Sequence, residues 1–309
     1  MFGLNDIKGP SFFNDAPKDS LKVTSRFLTI QGEGPFAARV AFFIRLTHCS
    51  LACSWCDAFF DEGDWMTFDE IEADIEAQIE KYFEGNVPDY AKHGTPESIL
   101  VEESFVSRKY DTYDTQLPKK DMVLVITGGE PTLQKNLVPF LERMNKIFKH
   151  TQIESNGTHS LPIPAETVLV VSPKCSEKNG QPVRYLKPRP DVLDRANILK
   201  FVVTADPESK YHDIPQWAYD WKKTTGRDIY ISPMNIYNDL PQRAKDVRDG
   251  RNHIDIEDRS TADEVLDIWE EDSIVDKKQV QANHAHAARL VIKHGFVMNM
   301  QQHLFLGLP

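Results

Sequence analysis

One pattern restricts this chain more than any single residue. Nearly every apolar run is followed at once by a short polar or glycine-rich stretch. Residues 23–30 lead to Gln31-Gly32-Glu33-Gly34, residues 39–46 to a cysteine-bearing loop, and residues 122–126 to Thr127-Gly128-Gly129-Glu130-Pro131. Residues 151–154 run into Ser155-Asn156-Gly157, 168–171 into Ser172-Pro173-Lys174, and 229–231 into Ser232-Pro233-Met234-Asn235. Residues 198–203 form a further apolar run that holds Lys200. Helical spacing recurs between these runs. Thr67-Phe68-Asp69-Glu70 reads as a capping box before Ile71, Ile75 and Ile79. Leu137, Phe140, Leu141, Met144, Ile147 and Phe148 mark a second helix, and residues 217–223 and 279–294 two more, before a last strand at 296–300. Strand–motif–helix alternation predicts an α/β fold with parallel strands and crossover helices. Working residues in such folds gather at the carboxyl ends of the strands. The motifs at 31–34, 49–57, 127–131, 154–157, 172–174 and 232–235 are therefore expected on one rim, aimed at a common centre by a curved sheet or partial barrel. Residues 86–120 are polar with weak periodicity, residues 239–275 are charged, and both are expected as surface insertions in one domain spanning 1–309.

The loop after residues 39–46 carries Cys49, Cys53 and Cys56 in C-x3-C-x2-C spacing. Clustered thiolates suit zinc or iron–sulfur centres. A closed structural zinc site wants four ligands, for which Cys175 is the distant candidate. Three local ligands fit a cubane that leaves one iron open. A disulfide framework does not suit four cysteines in 309 residues without an export pattern at Met1, so a reducing cytoplasm is expected. The net charge of -11 argues against broad nucleic-acid binding, and no apolar run approaches the ~20 residues of a membrane span.

Each remaining motif has two readings. Gly128-Gly129 would let the backbone approach a ligand, and Glu130 would pair with an ammonium group or serve as the acid in a following first helical turn. Glu154 is an acid at a strand end, a site residue or a solvated one. Ser172 and Lys174 would hold a carboxylate and ribose hydroxyls, or begin a loop. Arg45 would meet a substrate carboxylate or an internal ion partner. His48 is expected beside a metal centre rather than on it. His284 and His286 stand two apart on a helix and do not face each other.

The cysteine spacing resembles the cluster loop of radical S-adenosylmethionine (SAM) enzymes. Taken together, the motifs resemble the 7-carboxy-7-deazaguanine synthase family of these enzymes over most of 22–84, 121–237 and 279–309. Phe27-Leu-Thr-Ile-Gln-Gly-Glu-Gly34, Phe43-Ile-Arg45, Trp55-Cys-Asp57, Leu199-Lys-Phe-Val202 and Gln301-Gln-His303 carry the likeness with the motifs above. The resemblance implies a partial (β/α) barrel in a homodimer, served by a flavodoxin-like reductant. Cys49, Cys53 and Cys56 would bind a [4Fe–4S] cluster whose open iron is chelated by SAM. Trp55, Asp57, Gly129, Glu130, Glu154, Ser172, Lys174, Ser232, Pro233, Met234 and Asn235 would line the SAM site. Gln31, Gly32, Glu33, Arg45, Thr127 and the carboxylate of Pro309 would hold the pterin substrate. The implied reaction converts 6-carboxy-5,6,7,8-tetrahydropterin to 7-carboxy-7-deazaguanine with loss of ammonia, after a 5′-deoxyadenosyl radical takes hydrogen from C6. Three departures stand out. Ala58 replaces the threonine that usually binds Mg²⁺, and it offers no side-chain oxygen. His48 replaces a common glycine, and Leu304 a frequent lysine. The competing readings are another radical SAM reaction, such as glycyl-radical activation of a partner protein, and a zinc-stabilised binding module without activity.

Overall fold

The computed structural model describes residues 5–56, 58, 60–83, 120–236 and 276–302. Asp57, Leu304 and Pro309 lie outside the described residues, as do both expected insertions save Lys120, which opens a strand. Among the described residues, nine strands form one sheet in the order β11-β10-β9-β6-β5-β4-β2-β1-β3. They are β1 (Ser20–Ile30), β2 (Val40–Leu46), β3 (Asp64–Thr67), β4 (Lys120–Gly128), β5 (Phe148–Ser155), β6 (Thr167–Val171), β9 (Ile198–Val203), β10 (Ile229–Pro233) and β11 (Val297–Met298). The remaining strands, β7 (Cys175–Lys178) and β8 (Gln181–Tyr185), make a separate antiparallel hairpin. From β2 to β11 every pairing in the large sheet is parallel, as the crossover pattern predicts. The fold is thus a mixed α/β one built on a mostly parallel sheet.

Side chains alternate between the two faces of each strand, with a period of two. On β2, Phe42, Ile44 and Leu46 join the large core, as do Leu124 and Ile126 on β4 and Leu199, Phe201 and Val203 on β9. Helices cover that face. The helix Phe68–Phe83 contributes Ile71, Ile75 and Ile79, and Leu137–Ile147 contributes Leu137, Phe140, Leu141 and Met144. Burying each such side chain stabilises the fold by about 1.5–3 kcal/mol. The capping box forms as expected: Glu70 accepts from the Thr67 N–H at 2.7 Å, and Thr67 Oγ1 accepts from the Glu70 N–H at 3.2 Å. Asp276 caps the helix Lys277–His294, and Gly295 closes it at φ 64°. Phe148, expected in a helix, instead begins β5; its φ of -100° and ψ of 142° are extended.

The opposite face of the sheet is polar towards the carboxyl ends. Arg45, Thr127 and Lys200 alternate with the core residues just named, Gln152 and Glu154 flank the core residue Ile153 of β5, and a small apolar patch of Ala41, Val123 and Val125 adjoins them.

One expectation fails. The 31–34 motif does not share the rim of the others. β1 runs antiparallel to β2, with Ile30 opposite Val40, so its carboxyl end lies at the amino ends of the parallel strands. A strand–motif pattern carries no information on strand direction. The connection from Gln31 to Arg39 folds back across the polar face, where Gly34 lies beside Gln152 of β5. No helix among the described residues is long and apolar enough to cross a membrane.

Candidate active site

The five parallel-strand motifs and the inward 31–34 loop meet around a cavity of about 310 Å³. Cys49, Cys53, Trp55 and Cys56 line it from the loop after β2, and Thr127 and Gly129 from β4 and its exit. Glu154, Ser172, Lys174 and Ser232 follow from β5, the turn after β6, and β10. Gln31, Glu33 and Arg45 complete the wall. Gly32, Glu130, Pro233, Met234 and Asn235 stand next to wall residues, not on the wall itself.

Glu130 departs most from expectation. It is fully buried, and its two oxygens are taken. Oε1 accepts from the Thr132 N–H and hydroxyl and from Ser155 Oγ at 2.8 Å, while Oε2 accepts from the Asn156 N–H at 2.6 Å. The carboxylate ties the β4 exit to the β5 exit and leaves no ready oxygen for an ammonium group. Gly129 is also explained by the protein itself. A Cβ there would stand 1.8 Å from the His48 carbonyl oxygen, so glycine is required by the backbone of the cysteine loop rather than by a ligand. His48 has φ 62°, the left-handed conformation that favours glycine. Its ring is buried beside Phe12, with centroids 4.4 Å apart.

All three loop cysteines are free thiols. Burial, with a smaller contribution from Glu130, pushes the Cys49 thiol up to about 11. Burial pushes Cys53 up to about 12, against the opposing pull of Lys174. Bare thiolates are thus disfavoured here, and a bound cation would reverse that balance. Among the described residues no three His, Cys, Asp or Glu side chains converge closely enough to grip one metal ion. Cys175 sits off the wall, packed with Tyr211 and Met234 and donating its N–H to Tyr211 Oη at 2.9 Å. Three thiols open on one cavity while the fourth is packed off its wall, an arrangement suited to a cluster held by three cysteines.

The wall carries mixed charge. The Lys174 ammonium donates to Ser172 O at 2.9 Å and Ser172 Oγ at 2.5 Å, and lies 5.5 Å from the Trp55 ring centre. Burial holds its pKa below the usual lysine value. The Arg45 guanidinium lies 4.7 Å over the Phe27 ring, which stacks on Phe43. Gln31 is buried; its Oε1 accepts from the Glu33 N–H at 3.1 Å, and its NH₂ has no hydrogen-bond partner among the described residues. Lys200, in the middle of β9, donates to Glu33 Oε2 and Glu154 Oε2, both at 2.5 Å.

Several site residues were not singled out by the sequence. Lys200 had a signal: a lysine inside the apolar run Ile-Leu-Lys-Phe-Val-Val must be exposed or paired. Asn299 joins two motifs, accepting from the Gly34 N–H and donating to Ser232 Oγ, both at 2.7 Å. Asn283 holds the β10 exit by donating to Met234 O at 2.7 Å. Gln301, on the cavity wall, accepts from Asn235, which the sequence did single out. Asn5 donates to Ala58 O at 2.9 Å and accepts from the Phe60 N–H, bracing the end of the cysteine loop. The β7–β8 hairpin braces its middle, where Glu177 accepts from the Ser54 N–H at 2.9 Å.

No protein-family model matches the chain. Over 308 residues it is 27% identical to the 7-carboxy-7-deazaguanine synthase of Rickettsia prowazekii, covering the whole of this chain and 96% of that one. This chain is a homologue of the 7-carboxy-7-deazaguanine synthases. The enzyme of that name from Rhodospirillum rubrum is 28% identical over 217 residues, 70% of this chain and 71% of the relative. The Escherichia coli K12 enzyme is 29% identical over 181 residues, 59% and 71% of the two chains. The crystal structure of QueE from Escherichia coli superposes with a TM-score of 0.52 at 19% identity, covering 95% of this chain and 98% of that one. That likeness is one of fold, and it agrees with the mostly parallel sheet.

Proposed function

We propose that this chain is a radical SAM enzyme that converts 6-carboxy-5,6,7,8-tetrahydropterin to 7-carboxy-7-deazaguanine with release of ammonia. The observation that carries the reading is the cavity itself. Three free thiols, a cationic and hydroxyl-bearing wall, and an acid–amide loop open into one space, in a homologue of synthases of that name.

Cys49, Cys53 and Cys56 would each hold one iron of a [4Fe–4S] cluster, leaving the fourth open. The cluster, when bound, supplies the electron for reductive cleavage of SAM. The chain's own residues then have to bind, orient and shield. Lys174 and the Ser172 hydroxyl stand together as a cation–donor pair suited to a carboxylate and to ribose oxygens. Trp55, edge-on to Tyr211, offers an apolar flank. Arg45 and the Gln31 NH₂ are donors suited to the substrate carboxylate, whereas Glu33 is an acceptor for ring N–H groups. Phe27, Phe43, Leu51 and Phe60 line the same cavity and make part of its wall apolar, which helps to exclude water. Fixing both reactants in one small space supplies the proximity such a hydrogen transfer needs. A homodimer reduced by a flavodoxin-like donor belongs to this reading. Mg²⁺ would take its oxygens from substrate, water and another group, since Ala58 offers none on its side chain.

The test is anaerobic reconstitution followed by turnover with SAM, dithionite and the tetrahydropterin, products being identified by mass. Broad visible absorption bleached by dithionite, with 7-carboxy-7-deazaguanine formed, is expected. SAM cleavage with the pterin unchanged would point to another radical SAM reaction. A colourless protein with stoichiometric zinc would leave only the binding module.

A further inference from the structure

The Lys200 side chain is buried yet borders the cavity. Its two partners come from different places. Glu33 belongs to the loop that folds in from β1, and Glu154 ends β5. Both oxygens lie 2.5 Å from one nitrogen, so they are within about 5 Å of each other. The carboxylates are largely buried as well, with side-chain exposures of 15% and 16%. Burial alone would lower the lysine pKa, but Glu154 and then Glu33 outweigh it, and the ammonium is held above the ordinary lysine range. Two carboxylates this close cannot both stay ionised in a dry site without a cation between them.

We propose that Lys200 is a positioning residue that keeps Glu33 and Glu154 ionised together, so that the cavity presents two hydrogen-bond acceptors, one from the β1 loop and one from β5. The chemical consequence is a preference for ligands that offer N–H or O–H donors at both points, such as a ring amidine on one side and a ribose diol on the other. That assignment of donors rests on the function proposed above; the ionisation argument does not. Among the described residues, three further groups near the pair are neutral or held elsewhere. Gln152 donates to the remaining oxygen of Glu154 at 3.1 Å but is neutral. Lys174 is held by Ser172, and Arg45 lies over Phe27. The thiols of Cys49 and Cys53 are protonated without a metal and add no positive charge.

Replacing the ammonium by an isosteric apolar chain should therefore raise one carboxyl pKa and turn an acceptor into a donor. Three variants test this: Lys200→Met, Lys200→Arg, and Lys200→Met with Glu33→Gln. The first measurement is an infrared pH titration of the purified protein without cluster or substrate. Lys200→Met should show the carbonyl stretch of a protonated carboxylic acid near neutral pH, lost as pH rises. Wild type, Lys200→Arg and the double variant should not. The second is calorimetric binding of SAM to the unreduced, cluster-loaded protein between pH 6.5 and 8.5. Wild type, whose affinity follows only the titration of the SAM amine, sets the reference at each pH. Lys200→Met should bind about 10- to 100-fold more weakly at the acid end, the worth of one charge-assisted hydrogen bond, and should recover as pH rises. Lys200→Arg should restore most of the affinity at every pH. No acid band in Lys200→Met, or weaker binding with no pH dependence, would make Lys200 a packing residue and overturn the proposal. If Lys200→Met does not fold, the double variant carries the test, because it has lost the close like charge. It should fold, and failure of both to fold would equally overturn the proposal. The infrared arm needs neither SAM nor pterin, so failure of the proposed reaction shows up separately, in the turnover assay.

Discussion

Glu130→Gln separates two roles for the one buried carboxylate that joins the β4 and β5 exits. Glutamine keeps an acceptor for Thr132 and Ser155. Its NH₂ then faces the Asn156 N–H across the site of a 2.6 Å hydrogen bond, donor against donor. Hydrogen bonds to charged groups contribute about 1.5–3 kcal/mol each, and breaking one side of a buried charged network costs about 3–5 kcal/mol. With one side of the network kept, a loss of about 3 kcal/mol is expected. Large domains lose about 2–4 °C per kcal/mol, so the melting temperature should fall by roughly 6–12 °C. The damage should reach the cysteine loop, because Asn156 also donates to Ser50 Oγ at 3.1 Å and lies 3.6 Å from the Cys49 sulfur. The assay pairs thermal denaturation followed by circular dichroism with calorimetric SAM binding at matched iron content. A variant that melts within about 1 °C of wild type but binds SAM more than tenfold more weakly would refute the scaffold argument. Glu130 would then be a direct SAM ligand.

Alanine at Cys49, Cys53 or Cys56 should abolish cluster loading, while Cys175→Ala should retain it; iron and sulfide analysis decides, and cluster loss in Cys175→Ala would defeat the three-ligand scheme. Gly129→Ala should lower stability by about 1–3 kcal/mol or more and reduce iron content with it, because its Cβ would meet His48 O at 1.8 Å; an unchanged melting curve would show that the loop yields freely. Ala58→Thr restores an oxygen and should lower the Mg²⁺ concentration needed for half-maximal turnover; identical titrations would count against a metal at that position. In cluster-free protein, Cys49 and Cys53 are raised from 9.0 to about 11 and about 12. Alkylation by iodoacetamide should stay slow at pH 8 and accelerate only towards pH 11. Because the folded values lie above the unfolded ones, the stability these thiols contribute is complete below pH 9 and lost as pH rises through 11 to 12. Rapid alkylation at pH 8 in native protein would contradict the burial argument.

The parallel sheet was legible because each crossover leaves a mark in the chain: an apolar strand, a polar turn, a helical stripe. Direction within the first hairpin left none. Residues 23–30 look the same whether the strand points towards the rim or away from it, and only the pairing of Ile30 with Val40 places the 31–34 loop below the cavity. The site residues divide along the same line. Cys49, Cys53 and Cys56 announce themselves by spacing, since three thiols this close have few other uses. Glu130 resembles a ligand because an acid after Gly-Gly at a strand end is compatible with binding or with bracing, and only the positions of Thr132, Ser155 and Asn156 distinguish them.

Lys200 shows where sequence reasoning had a usable signal and stopped short. A cation in an apolar strand needs a buried anion. The alternation that puts Leu199 and Phe201 in the core turns Lys200 to the other face, with Glu154 and Thr127. That much was available from period two. Its second partner, Glu33, was not, because it depends on the antiparallel course of β1. The loop that sequence spacing misplaced on the rim is the one that completes the ion triad. Its reversal lets Glu33 reach Lys200 at 2.5 Å from below while Glu154 reaches it from the strand end. The antiparallel first hairpin therefore has a consequence for chemistry as well as for topology. It gives the cavity a second carboxylate that no parallel-strand exit supplies, and makes the cation between the two necessary.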